Sequence, residues 1–227
     1  FLERLAAMLP ASGAQIGLDF QARRFTRGLS YEGVERHLVW LSSLDPNDQS
    51  RLFNDVGLTD LFADSRAFID ALDTRTDWDK LSALYYRYFL ADGLLAKVDR
   101  ACMSVALETR SPLLDRRVRE IAFALPTPMK LRGSTHKWAL RRLLERLGAP
   151  KALVERPKQG FSAPVSDWLK GPLRPWMQDL LSVDALKTHD LFNANEVRAM
   201  IDEHLMGKVD HRKPLWALLA YRVWEEH

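Results

Sequence analysis

Cysteine occurs once in the 227 residues, at position 102. That excludes an internal disulfide and any cysteine-based zinc cluster, and it fits a reducing, cytoplasmic setting. Flanked by Ala101 and Met103, Cys102 reads as a buried, inert thiol rather than a nucleophile. Long apolar runs are missing too. No stretch approaches the roughly 18 uninterrupted apolar residues that a bilayer crossing needs, so no membrane partner is expected. A secretory leader is not evident: Glu3 and Arg4 interrupt the amphipathic start, and no small-residue cleavage site follows. The chain opens on Phe1 rather than Met and runs straight into a helical pattern, so we expect a fragment of something longer. The HExxH, GxSxG, Walker-type and GxGxxG signatures are all absent. His37, His136, His189, His204 and His211 show no metal-type pairing with carboxylates, so no metal ligands are expected.

What is present is core-forming. Hydrophobic residues make up 47% of the sequence, with seven Trp and ten Phe, which excludes a disordered chain. The formal net charge of +3 does not by itself predict a nucleic-acid partner. The charge is locally polarised, however. Residues 41–80 hold nine Asp against Arg51, Arg66, Arg75 and Lys80. Residues 130–158 hold nine Lys or Arg against Glu145 and Glu155. Such a basic stretch could face phosphate, an acidic partner or water.

Helical periodicity dominates. Leu81, Leu84, Tyr85 and Tyr88 share one face, as do Leu140, Leu143, Leu144 and Leu147, and then Leu215, Leu218, Leu219 and Arg222. Asp45-Pro46 should open a helix, and Asp115 should cap one over 116–125. Gly148 and Pro150 should end a helix over 135–147. Gly93 interrupts the run 80–99, which is two helices or one bent one. Residues 104–107 and 161–165 are the only strand candidates, and loops or helix ends fit them better. Residues 109–114, 125–134 and 156–165 read as loops. The simplest organisation is one mainly α unit, with residues 1–80 a more acidic, loosely attached half.

Three positions combine charge with special context. Glu108 and Arg110 stand two apart among Leu and Pro residues, which predicts charges held partly away from water. From the residues alone, a structural Glu–Arg network that orients a loop is preferred to a reactive carboxylate. Lys137 is predicted in the first turn of a helix capped by Ser134 or Thr135. A cation there opposes the helix dipole but suits an anion; a solvated lysine is the alternative. Lys158 lies in Arg156-Pro157-Lys158-Gln159-Gly160-Phe161, where Gly160 permits a close backbone approach or simply a turn.

These stretches, in order, resemble the C-terminal part of the synthetase domain of glutamine-dependent asparagine synthetases. The first is Leu94-Leu95-Ala96-Lys97-Val98-Asp99-Arg100-Ala101-Cys102-Met103, followed by the run from Leu107 to Asp115. Next come Lys130, then Lys137 with Leu140-Arg141, then residues 156–161 with Pro164 and Trp168. The likeness is close over 85–176 and only compatible over 1–80 and 185–227.

The resemblance implies the helical C-terminal portion of an adenine nucleotide alpha hydrolase-like (PP-loop ATP pyrophosphatase) domain. It implies activation of aspartate by ATP and Mg²⁺ as an acyl-adenylate, then attack by ammonia released from glutamine in an N-terminal glutaminase domain. Lys137 would be the principal catalytic cation, Lys158 a second phosphate contact, and Glu108 an acidic group that orients neighbours or assists proton transfer. The family's SGGxDS-type pyrophosphate loop, its GxGxDE-type segment and its N-terminal nucleophilic cysteine have no counterpart here. ATP and Mg²⁺ would therefore be bound mainly outside this chain, and the 227 residues alone would make no asparagine. A homodimer is possible. A related synthetase adenylating another carboxylate, or a helical module binding polyanions through residues 130–158, are the alternatives.

Overall fold

Local chemistry sets where several helices begin. The Asp45 carboxylate accepts from the Asp48 N–H at 2.8 Å, and Pro46 takes the first position of the helix Pro46–Leu52. Asp115 accepts from the Arg117 N–H at 2.9 Å and opens Arg116–Ala124. Both starts fall where the sequence places them. Thr76 and Asn193 cap Asp77–Leu84 and Ala194–Leu205 in the same way.

The computed structural model describes residues 17–54, 60–73, 76–157, 163–187 and 191–226. It is mainly helical, in line with the periodicity, and no helix among the described residues is long and apolar enough to cross a membrane. The chain divides into two compact units, Phe1–Ala71 with Ser162–His227, and Leu72–Phe161.

The first unit owns a continuous core. Leu215, Leu218, Leu219 and Arg222 recur on one face of the helix Arg212–Glu225, and that whole stripe is buried. It packs with Leu169, Met177 and Val197 from neighbouring helices and with Leu52. Arg222 survives in the stripe because Glu225 and Glu226 supply its counter-charges. The N-terminal and C-terminal stretches are stitched by backbone. The Asn193 N–H donates to the Leu52 carbonyl at 2.8 Å, and the Asn54 N–H donates to the Leu191 carbonyl at 3.0 Å.

In the second unit Asp77–Leu84, Tyr85–Leu95 and Ala96–Met103 follow one another without a break, and the middle segment is π-wound. The run around Gly93 is thus one continuous helix with a widened centre. π-Geometry usually occurs as single-turn bulges, so eleven residues of it is uncommon.

Two strands depart from the sequence expectation. Leu131–Arg132 and Thr135–His136 pair antiparallel, with Leu131 opposite His136 and Arg132 opposite Thr135. Gly133 sits at φ +58°, a conformation that a two-residue hairpin turn demands and glycine allows. Strands of two residues carry no readable alternation, so the sequence here reads as a loop running into a helix. The helix itself is Trp138–Arg146. Residues 104–107 form turns after a helix end, as expected, and Val165 starts the helix Val165–Lys170.

Candidate functional site

The hairpin ends at His136, and the next residue must turn the chain into the helix Trp138–Arg146. Lys137 makes that turn at φ +56°, ψ +40°. This is left-handed backbone, which disfavours an L-residue by roughly 1–2 kcal/mol. The Lys137 carbonyl accepts from the Arg141 N–H at 3.0 Å and so starts the helical ladder. Ser134 and Thr135 do not cap this helix, contrary to expectation, because Ser134 completes the hairpin turn and Thr135 is in the strand. No side chain among the described residues caps it at all. Lys137, an exposed residue, therefore stands at the same uncapped helix start as the first-turn N–H groups.

Arg141 holds this junction from behind. Its Nε donates to the His136 carbonyl at 3.1 Å, and its Nη1 donates to the Val154 carbonyl at the end of the helix Lys151–Val154. Trp138 lies under two guanidinium groups, with Arg132 at 5.3 Å and Arg142 at 5.6 Å from its ring centre. An open cavity of about 430 Å³ borders Trp138, Arg142 and Arg146.

Part of the basic stretch is already engaged. Lys130 Nζ donates to the Phe123 carbonyl at 3.2 Å and lies 3.5 Å from the Asp79 carboxylate. The Thr76 hydroxyl, donating at 2.7 Å, and then the Lys130 ammonium hold the Asp79 carboxyl below the usual carboxylate range. Arg142 pairs with Glu145 at 2.6 Å, and Lys151 with Glu155 at 3.7 Å.

Glu108 and Arg110 pair with each other, as the network reading predicts, but in water. Their side chains are 70% and 86% exposed. The partial shielding expected from their apolar sequence neighbours does not occur, because residues 107–111 are irregular and Leu107 and Leu113 are themselves exposed. An exposed pair of this kind adds little stability. No hydrogen bond or ion pair among the described residues joins Glu108 to Lys137. Lys158 lies outside the described residues. Cys102 is half-buried rather than fully buried, at the end of a helix whose neighbouring residues Ala101 and Met103 face water.

The family model of asparagine synthase matches residues 11–226, nearly the whole chain. The chain belongs to the asparagine synthase family. A protein of Mycobacterium tuberculosis (strain H37Rv), named provisionally as a glutamine-hydrolyzing asparagine synthetase, is 34% identical over 151 residues. That alignment covers 65% of this chain and 23% of the relative. Glutamine-hydrolyzing asparagine synthetase 1 of Bacillus subtilis (strain 168) is 24% identical over 160 residues, covering 70% of this chain and 25% of its own length. The chain thus spans about a quarter of the length of the curated relatives it matches. No solved structure matches it.

Within this chain, the sequence points to Lys137 but not to how it is held. The ties from Arg141 to His136 and Val154 leave no periodic signal. The Lys130–Asp79 contact spans 51 positions and is beyond any local pattern. Only the quoted Lys137, Leu140-Arg141 spacing pointed toward Arg141.

Proposed function

We propose that the chain forms part of the synthetase domain of a glutamine-dependent asparagine synthetase, the helical C-terminal portion of a PP-loop ATP pyrophosphatase fold. In this reading a carboxylate oxygen of the aspartate side chain attacks the α-phosphorus of ATP and pyrophosphate leaves. Ammonia supplied by an N-terminal glutaminase domain then attacks the acyl carbon, and AMP departs with the bonding electrons. A cytoplasmic setting and a homodimer belong to the same reading.

The observation that carries it is the placement of Lys137, in a chain of this family, at the uncapped start of Trp138–Arg146. Negative charge grows on the transferred phosphate oxygens and on the tetrahedral carbon. A fixed ammonium beside free backbone N–H groups stabilises both. Arg141 keeps that ammonium at its post by anchoring the hairpin end. Lys158 supplies a second cation, and Glu108 orients neighbouring groups or carries a proton from the attacking ammonia. No group of three or more His, Cys, Asp or Glu among the described residues could hold a metal ion, so Mg²⁺ would be held mainly by groups outside them.

The test is Lys137→Ala in the full-length enzyme. Loss of one such charge-stabilising donor costs about 10²–10³ in rate. Asparagine formation should fall by that factor while glutamine hydrolysis continues at its ordinary rate. Unchanged synthesis would remove Lys137 from the chemistry, and amidation of a different carboxylate by the parent enzyme would replace aspartate as the acceptor.

A further inference from the structure

The first compact unit contains a second concentration of positive charge that the proposed synthetase chemistry does not use. The helix Leu18–Gly28 carries Arg23, Arg24 and Arg27, and the helix Arg212–Glu225 begins with Arg212 and Lys213. These segments border a cavity of about 60 Å³ whose lining includes Phe20, Arg23, Arg24, Arg27, Lys213 and His211 together with the carboxylates of Asp45 and Asp210. A single water needs roughly 10–15 Å³, so the space holds several waters or one small tetrahedral anion.

Two of the cations around it, Arg24 and Lys213, have no carboxylate at ion-pair distance among the described residues. Arg27 is answered by Asp45 at 3.5 Å and Asp48 at 3.3 Å. Arg212 is answered by Asp210 at 3.4 Å and lies 4.5 Å over the Phe20 ring. His211 Nε2 is 2.7 Å from Glu203. Arg24 meets only a neutral acceptor through Nε, the Trp40 carbonyl at 2.6 Å. Lys213 Nζ stands 6.0 Å from the Phe20 ring centre, with no carboxylate among the described residues at ion-pair distance. Burial and then the charges of Arg24, Arg212 and Arg27 bring the Lys213 ammonium down to about 8. A half-buried lysine crowded by guanidinium groups marks a place where an anion would be held strongly.

We propose that this cavity binds a phosphate-type oxyanion, either free phosphate or a phosphate group of a nucleotide, against Lys213 and Arg24, with Phe20 as its apolar wall. Bidentate guanidinium forks suit phosphate oxygens, and the ammonium adds a compact point charge. Binding would return Lys213 toward an ordinary lysine.

The experiment follows the amine directly. Trace acetylation of the full chain across alkaline pH, read by peptide mass spectrometry, gives the titration of Lys213, with the exposed Lys187 as internal control. Inorganic phosphate is compared with chloride at equal ionic strength, and ATP is run as a separate arm. Phosphate should raise the Lys213 titration by about one unit, cutting its acetylation about five-fold at pH 8 and leaving Lys187 unchanged. Arg24→Gln should weaken that protection. Phosphate should also raise the Tm of the parent chain but not that of Lys213→Met, which should be no less stable than the parent in chloride. Protection by phosphate assigns the site to a free oxyanion, and protection by ATP alone assigns it to a nucleotide; either supports the proposal. Unchanged Lys213 reactivity in both arms, or an equal phosphate-induced Tm rise in Lys213→Met, overturns it.

Discussion

At the scale of single residues, two buried or strained positions stand out from an otherwise ordinary helical chain. Lys137 accepts a left-handed backbone that glycine would adopt freely, which is the kind of local strain that clusters where a side chain is needed in one place. His204 is the other. Its side chain is fully buried, its Nδ1 accepts from the His211 N–H at 3.2 Å, and its Nε2 has no partner among the described residues. Burial lowers its pKa from 6.5 to about 4, although Asp210 at 3.6 Å pulls the other way. Between those values the unfolded chain holds the extra proton. The contribution is therefore complete above about pH 6.5 and disappears as pH falls toward 4, and amounts to about 3 kcal/mol. Unfolding free energy measured against pH should show this slope. In His204→Asn, whose amide oxygen can replace Nδ1 as acceptor, the slope should shrink by that amount and leave only the part due to His37 and His211, which burial also lowers; an unchanged slope would place the titration elsewhere.

At the scale of elements, the hairpin and the helix that follows act as one lever for Lys137. Gly133 is the residue on which the lever turns, since its φ of +58° is open to glycine and tolerable for asparagine but poor for a β-branched side chain. Gly133→Val should cost about 1–3 kcal/mol in stability and, on the proposed function, reduce asparagine formation by the full-length enzyme by disturbing the His136–Lys137 junction, whereas Gly133→Asn should retain most of both. Thermal unfolding and synthetase assays on the same two variants check this. Equal behaviour of Val and Asn would mean that the turn does not need positive φ. Helix starts were the most legible elements. Asp45-Pro46 and Asp115 carry their own acceptors next to the amides they satisfy, so neighbours in sequence suffice to place them. The hairpin was illegible because its four strand residues are fewer than one alternation needs.

At the scale of the whole molecule, the two units differ in what their apolar residues do. In the first, periodic apolar positions coincide with burial: Leu215 is 0% exposed and Leu219 1%. In the second, the same kind of periodicity reaches solvent: Leu143 is 51% exposed, Ile121 63% and Leu147 73%. The Leu140, Leu143, Leu144 and Leu147 stripe marks a helix correctly, but periodicity reports which face is apolar and not whether anything covers it. Leu215→Ala should therefore destabilise the chain by about 2–5 kcal/mol, while Ile121→Ala should change it by less than about 0.5 kcal/mol. Denaturant unfolding of both variants checks the contrast, and a comparable loss in the two would show that Ile121 is covered in solution.

The sequence by itself determined the helical class, the caps at Asp45 and Asp115, the absence of disulfide chemistry, and the ordered motifs whose family the comparisons bear out. All of these depend on neighbours within a few positions or on motif order along the chain, which a sequence displays directly. Only the tertiary structure decided that Lys137 turns in a left-handed conformation, that Arg141 and the Lys130–Asp79 contact brace its surroundings, and that Glu108 meets Arg110 in open solvent. The convergence of Arg23, Arg24 and Lys213 on one cavity belongs to the same class. Each joins groups far apart in the chain or fixes a burial that composition does not specify, and electrostatics and desolvation act on distance in space rather than on distance in sequence.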